Sequence, residues 1–171
     1  LIRNALPHWD NALTPDELAG LCCHFDDAHS ETEDLLDARI VLAPPPSAQL
    51  SRDAKWQVET GPFSAASFNQ LPKENWSLLV ENVDSIVPDI AELRRIFNFI
   101  PSWRFDDVMV SYATRGGGVG PHFDRYDVFL LQGAGKRQWR LGQRCDETSS
   151  LQHDKPLLLL SSFETNAEYT L

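Results

Sequence analysis

The stretch Gly116–Leu141, GGGVGPHFDRYDVFLLQGAGKRQWRL, constrains this chain more than any other part of it. It opens on a glycine run, passes into a His-x-Asp pair (His122 and Asp124), and reaches Arg137 beyond a second Gly-rich turn. Side chains two apart on an extended segment point the same way, so His122 and Asp124 can converge on one point. An imidazole beside a carboxylate is two-thirds of the two-histidine, one-carboxylate set that holds non-haem Fe(II). Alone the pair is a weak signal. A glycine loop, the pair, a hairpin and an arginine in succession form a much stronger one.

The glycine run Gly116-Gly117-Gly118-Val119-Gly120 lacks the Gly-Lys-Ser/Thr ending of a phosphate loop and the helix that should follow it. It reads instead as a loop that bends sharply and lets a ligand approach its backbone. Tyr126–Leu131, the turn around Gly133-Ala134-Gly135, and Arg137–Leu141 predict a β-hairpin. On its second strand Arg137 shares a face with Trp139 and Leu141, both expected to point inward. A guanidinium turned toward a core needs an anion, and its planar fork matches a carboxylate. A small dicarboxylate bound beside a metal would satisfy it; an internal salt bridge to an Asp or Glu is the plainer reading.

Asp107–Tyr112 predicts a strand before the loop. Asp107, Met109 and Ser111 share one face; Val108, Val110 and Tyr112 pack on the other. Asp107 then either pairs with Arg137 or takes a cation of its own. In the second case an arginine or lysine side chain would fit, with Met109 and Tyr126 along its aliphatic stem.

Elsewhere, Thr14-Pro15-Asp16-Glu17 predicts a helix start, with Thr14 as N-cap, Pro15 in the first turn and Glu17 closing a capping box. An apolar stripe of Leu18, Leu21, Cys22 and Phe25 follows. Residues 26–37 are acidic and irregular. Strands are predicted at Ala38–Leu42, Lys55–Val58 and Trp76–Val80, with Pro44-Pro45-Pro46 as a stiff loop. Pro88–Ile100 predicts a helix lined by Ile90, Leu93, Phe97 and Ile100. A strand-rich later half with helices before it suggests a sandwich or barrel with helices outside.

At 171 residues the chain fits one domain, 1–171. It has no apolar run of the length a membrane span requires and no visible secretory signal. Three cysteines, two of them adjacent, make a poor disulfide framework and point to a reducing cytoplasm. Cys22, Cys23, His24 and His29 lack the second ligand pair a zinc site would need. The net charge of −10 argues against binding a nucleic-acid backbone and suits a basic protein partner.

The segment GGGVGPHFDRYDVFLLQGAGKRQWR resembles the JmjC-type, cupin-like bacterial ribosomal oxygenases. TPDELAG (Thr14–Gly20), KWQV with GPF (Lys55–Phe63), NWSLLV (Asn75–Val80) and WRFDDVMVSY (Trp103–Tyr112) are similar to the same family. The resemblance implies a mainly β double-stranded β-helix with flanking helices. It also implies an Fe(II) enzyme consuming 2-oxoglutarate and O2 to hydroxylate the β-carbon of an arginine in a large-subunit ribosomal protein. By motif position, His122 and Asp124 match two iron ligands, and Arg137 matches the anchor of the distal carboxylate of 2-oxoglutarate, with Ser111 assigned to the same site. Asp107, Met109 and Tyr126 match the substrate-arginine pocket.

The family's third ligand, a second histidine some sixty residues after the first, would fall beyond Leu171. The later His153 sits in a polar segment and reads as a surface-loop residue. The expectation is therefore an N-terminal piece of the catalytic domain, without the family's dimerisation and winged-helix regions. The complete protein would be a homodimer, and this part alone inactive. Two other readings compete: a catalytically incompetent binding module for a basic protein, and a cupin-like enzyme, such as an isomerase, using another divalent metal.

Overall fold

The computed structural model describes residues 1–9, 13–23, 36–51, 54–152 and 158–171. The acidic stretch as far as residue 35, Phe25, His24, His29 and His153 lie outside the described residues. The chain forms two compact units: Ala12–Pro46 with Lys55–Val119, and Leu1–Asn11 with Ser47–Ala54 and Gly120–Leu171.

The first of these is built on a four-stranded antiparallel sheet. Its strands are β1 (Ala38–Leu42), β2 (Gln57–Thr60), β3 (Trp76–Val80) and β4 (Val110–Ala113), in the order β2-β1-β3-β4. The two central strands are the most apolar, and Ile40, Val41, Leu78 and Val80 are completely or almost completely buried. A strand paired on both sides and covered on both faces can carry a continuous apolar run. The edge strand β2 instead shows Gln57, Glu59 and Thr60 to solvent.

Helix α1 (Pro15–Leu21) begins as expected. The Thr14 hydroxyl accepts from the Glu17 amide, and the Glu17 carboxylate accepts from the Thr14 amide at 2.8 Å. Leu18 and Cys22 are buried from its inner side, and burial pushes the Cys22 thiol up to about 12, aided by Cys23. All three cysteines are free. A short helix α2 (Ala65–Asn69) is capped by Ser64. Helix α3 (Pro88–Ile96) ends four residues before the sequence expectation, at Phe97, where backbone amides close tighter turns onto Arg94 and Arg95. Its inner residues Ile90 and Leu93 are buried as the periodicity requires. No helix among the described residues is long and apolar enough to cross a membrane.

The second unit carries a two-stranded antiparallel sheet, β5 (Gln138–Leu141) and β6 (Ala167–Thr170). Paired backbone bonds of 3.0 Å between Arg137 and Leu171 extend it. The expected hairpin of Tyr126–Leu131 with Arg137–Leu141 does not form. Tyr126–Leu131 lies outside any ladder, and β5 takes the C-terminal strand as its partner. Cross-strand side chains explain that choice: Glu168 accepts from Gln138 at 2.8 Å and from Arg140 at 3.1 Å. Such opposite-charge neighbours set register.

Candidate metal and co-substrate site

His122 stands on a short backbone ladder within the second unit. It bridges antiparallel to Leu159, which is fully buried, and the Leu160 amide donates to the Pro121 carbonyl at 2.8 Å. Leu151 bridges Leu160 in turn, and the Gln152 amide donates to the Leu159 carbonyl. The apolar run ending at Leu160 thus supports the histidine. Sequence reading missed that role, because an apolar run signals burial without naming what it lies against.

The imidazole is oriented by its own loop. Gly120 has φ +79°, a left-handed conformation that glycine adopts without penalty. The carbonyl of Gly120 lies 2.9 Å from His122 Nδ1. A carbonyl only accepts, so Nδ1 must carry the hydrogen, and Nε2 of the neutral ring is left with its lone pair. That Nε2 is 3.9 Å from Asp124 Oδ2, and both side chains are partly exposed. Metal–nitrogen and metal–oxygen bonds of about 2.0–2.2 Å put neighbouring ligand atoms about 3 Å apart, so a small rotation would bring both onto one ion. Nδ1–H held by a backbone carbonyl is also the outer-shell arrangement typical of metal-ligating histidines. The residues therefore fit a divalent metal as two of its ligands. Among the described residues no group of three or more His, Cys, Asp or Glu stands together as a metal cage.

The glycine loop bends sharply as expected, with Gly116 and Gly120 at positive φ, and it also serves packing. A Cβ on Gly117 would lie 2.2 Å from the Trp76 carbonyl oxygen, so glycine there permits close packing on the end of β3. At Gly120 the requirement is the turn that aims the carbonyl at His122. Gly120→Ala should cost about 1–2 kcal/mol through its left-handed backbone. If His122 ligates the metal that its geometry fits, disturbing its second contact should also weaken cobalt binding by about 10–100-fold. Titration of Co(II) into the complete protein checks this.

Arg137 immediately precedes β5, half-buried, with its guanidinium carbon 5.7 Å from the centre of the Trp139 ring. The shared face expected from alternation is present for these two. Leu141, expected inward with them, is 49% exposed. Burial lowers the pKa of Arg137 from its ordinary value, the mark of a cation partly stripped of water. Trp139 Nε1 is buried without a hydrogen-bond partner among the described residues. A partly dehydrated guanidinium is suited to a carboxylate ligand.

The other expected site residues fall as follows. The strand predicted at Asp107–Tyr112 begins only at Val110, so Asp107 and Met109 precede β4. The backbone of Val108 bonds to the turn after β3 instead of continuing the ladder: its amide donates to Asp84 and its carbonyl accepts from Val83. Asp107 Oδ2 accepts from the Asn82 amide at 2.7 Å. It forms no ion pair among the described residues. Met109 is 45% exposed, and Ser111 is half-buried on β4 opposite Leu79. Tyr126, 69% exposed, lies in the segment that forms no strand.

Antiparallel sheets with few helices, carrying a His-x-Asp pair at the edge of a glycine loop, define a β-rich protein of the cupin-like class. Residues 92–171 match the JmjC domain family. The chain is 38% identical over 164 residues to ribosomal protein uL16 3-hydroxylase of Escherichia coli K12, covering 96% of this chain and 39% of that protein. It is also 38% identical over 157 residues to a probable ribosomal oxygenase of Haemophilus influenzae, covering 92% of this chain and 35% of that protein.

The crystal structure of E. coli YcfD superposes with a TM-score of 0.79 at 36% identity, covering 98% of this chain and 40% of that one. The complex of the same ribosomal oxygenase with cobalt and 2-oxoglutarate gives a TM-score of 0.73 at 36% identity, over 96% and 37%. The chain is similar to the JmjC domain over residues 92–171 and to these ribosomal oxygenases over nearly all of its own length, and it spans about two fifths of the length of these relatives.

Proposed function

We propose that the complete protein is an Fe(II)- and 2-oxoglutarate-dependent oxygenase that hydroxylates the β-carbon of an arginine in a large-subunit ribosomal protein. The observation that carries this reading is His122, held by Gly120 in the tautomer that leaves Nε2 available beside Asp124. The relatives add support, one being named for hydroxylation of uL16 and one solved with cobalt and 2-oxoglutarate.

In this reading His122 Nε2 and Asp124 hold the iron, which supplies oxidising power when bound with O2. Among the described residues no third His, Cys, Asp or Glu joins them, and the two-histidine, one-carboxylate set requires one further ligand. Arg137 pairs with the distal carboxylate of 2-oxoglutarate, and Ser111 contributes a hydroxyl to the same co-substrate. Asp107 receives the guanidinium of the substrate arginine, while Met109 and Tyr126 flank its stem. An anion anchor and a cation anchor on one protein suit a reaction that joins a dicarboxylate to a cationic side chain. The chain's own contribution is placement and exclusion of water. The net charge of −10 favours approach of a basic ribosomal protein. Localisation in the cytoplasm and homodimerisation of the complete protein are part of the same proposal.

The test incubates the complete protein with Fe(II), 2-oxoglutarate and purified uL16. The expected result is succinate together with a mass gain of one oxygen atom on a single uL16 arginine. Succinate without a modified protein would leave an oxygenase acting on another substrate. Residues 1–171 alone should bind metal weakly and form no succinate; turnover by them would refute the need for a further ligand.

A further inference from the structure

We propose that Asp84 and Arg94 are positioning residues for substrate recognition, holding Asp107 as the carboxylate that meets the cationic side chain; this rests on the reading of Asp107 as a substrate-binding residue. The evidence is the way segment 105–108 is fastened. The Phe105 carbonyl accepts from Arg94 Nη2 at 3.3 Å. The Val108 amide donates to Asp84 Oδ1 at 2.8 Å, and the Val108 carbonyl accepts from the Val83 amide at 3.2 Å. The Asp107 side chain itself is held by the Asn82 amide. These fastenings thus run to one turn, residues 82–84, and to one arginine on α3.

That turn depends on a charged pair. Asp84 is only 5% exposed at its side chain, and its Oδ2 lies 2.6 Å from Arg94 Nη1. The guanidinium carbon of Arg94 also sits 4.6 Å from the centre of the Phe105 ring. A buried carboxylate that loses its cation must recover solvent or a proton, and either response moves the group that holds Val108. Asn82, at φ +58°, opens the same turn and presents its amide to Asp107. A shift at Asp84 is therefore carried two residues back through the turn to Asn82, and through Val108 to the adjacent Asp107.

Charge allocation supports the same role. Arg94 pairs with Asp84, and Arg39 pairs with Asp37 and Glu81. Asp107 has no ion-pair partner among the described residues, while one of its oxygens accepts from a backbone amide. This is the arrangement of a carboxylate prepared for an incoming cation. The Asp84 carboxylate, by contrast, already has Arg94 as its partner.

The test uses the complete protein with purified uL16 as probe. It measures uL16 binding by calorimetry, the KM and kcat for uL16, the KM for 2-oxoglutarate, and 2-oxoglutarate turnover without uL16. Arg94→Ala should weaken uL16 binding about tenfold, on the scale at which small misplacements of a binding group act, with uL16-free turnover and the KM for 2-oxoglutarate within about twofold. Arg94→Lys should recover part of the loss. Arg94→Ala combined with Asp107→Asn should be no weaker than Asp107→Asn alone, because both act through one carboxylate.

If Asp107→Asn loses uL16 affinity and Arg94→Ala does not, the positioning inference fails and the reading of Asp107 stands. If Asp107→Asn binds uL16 as the parent does, the reading of Asp107 fails and the inference with it. Should Arg94→Ala not fold, Asp84→Asn keeps the shape and removes the charge. A selective loss of uL16 affinity there supports the proposal, whereas uniform loss of every parameter overturns it in favour of a purely structural pair.

Discussion

His122→Ala or Asp124→Ala in the complete protein is expected to abolish the proposed hydroxylation while leaving the fold intact. Loss of only an outer-shell contact to a metal ligand lowers affinity or activity about 10–100-fold, so loss of a ligand itself should exceed a hundredfold. The two side chains are partly exposed, at 31% and 39%, and they anchor none of the core. Exposed substitutions of this kind change stability by about 0.5 kcal/mol or less. The expected signature is therefore cobalt affinity and hydroxylation lost together, with an unchanged Tm for the metal-free protein. Parent-like cobalt affinity in either variant would remove that residue from the metal site.

Arg137→Ala should raise the 2-oxoglutarate requirement by about a hundredfold, equivalent to about 2.7 kcal/mol. Truncating one side of a desolvated, hydrogen-bonded charge pair costs about 2–5 kcal/mol, because the remaining charge is left without its partner. The lowered pKa of Arg137 indicates that desolvation has already occurred in the folded chain. Packing against Trp139 restricts the guanidinium further. Arg137→Lys keeps the charge but loses the fork, so it should fall between the parent and alanine. Binding of 2-oxoglutarate raises the Tm of a protein that binds it only when folded, and that rise should vanish in Arg137→Ala. Calorimetric titration of 2-oxoglutarate with Mn(II) in place of iron reads the same anchor without turnover. An unchanged requirement in Arg137→Ala would remove the anchor role.

Where one short stretch of sequence determines the outcome, the structure follows it closely. The capping box at Thr14 and Glu17, β1 at Ala38–Leu42 and β3 at Trp76–Val80 occur where local pattern puts them. Each depends on contacts within a turn or on an uninterrupted apolar run. The His-x-Asp convergence is local as well: two residues apart, His122 and Asp124 meet even though no long strand carries them. Partial agreement at β2 and β4 has a simple cause. Both strands start later than expected, at Gln57 and Val110, because strand ends depend on which neighbour supplies the hydrogen bonds.

The pairing of β5 is the clearest case of a tertiary decision. A Gly-rich turn between Tyr126–Leu131 and Arg137–Leu141 favours a hairpin locally, but Glu168 offers β5 one carboxylate that accepts from both Gln138 and Arg140, thirty and twenty-eight residues before it. Nothing in the window of a turn contains that alternative. The orientation of His122 likewise depends on the φ of Gly120 and the backing of Leu159, and the orientation of Asp107 on an amide of the Asn82 turn. The sequence by itself determined which groups the chemistry has available: an imidazole, carboxylates and a guanidinium, with apolar strands to carry them. Only the tertiary structure decided which oxygen accepts, which ring nitrogen keeps its proton and which strand becomes a neighbour, because hydrogen bonds between distant residues are chosen by packing rather than by local propensity.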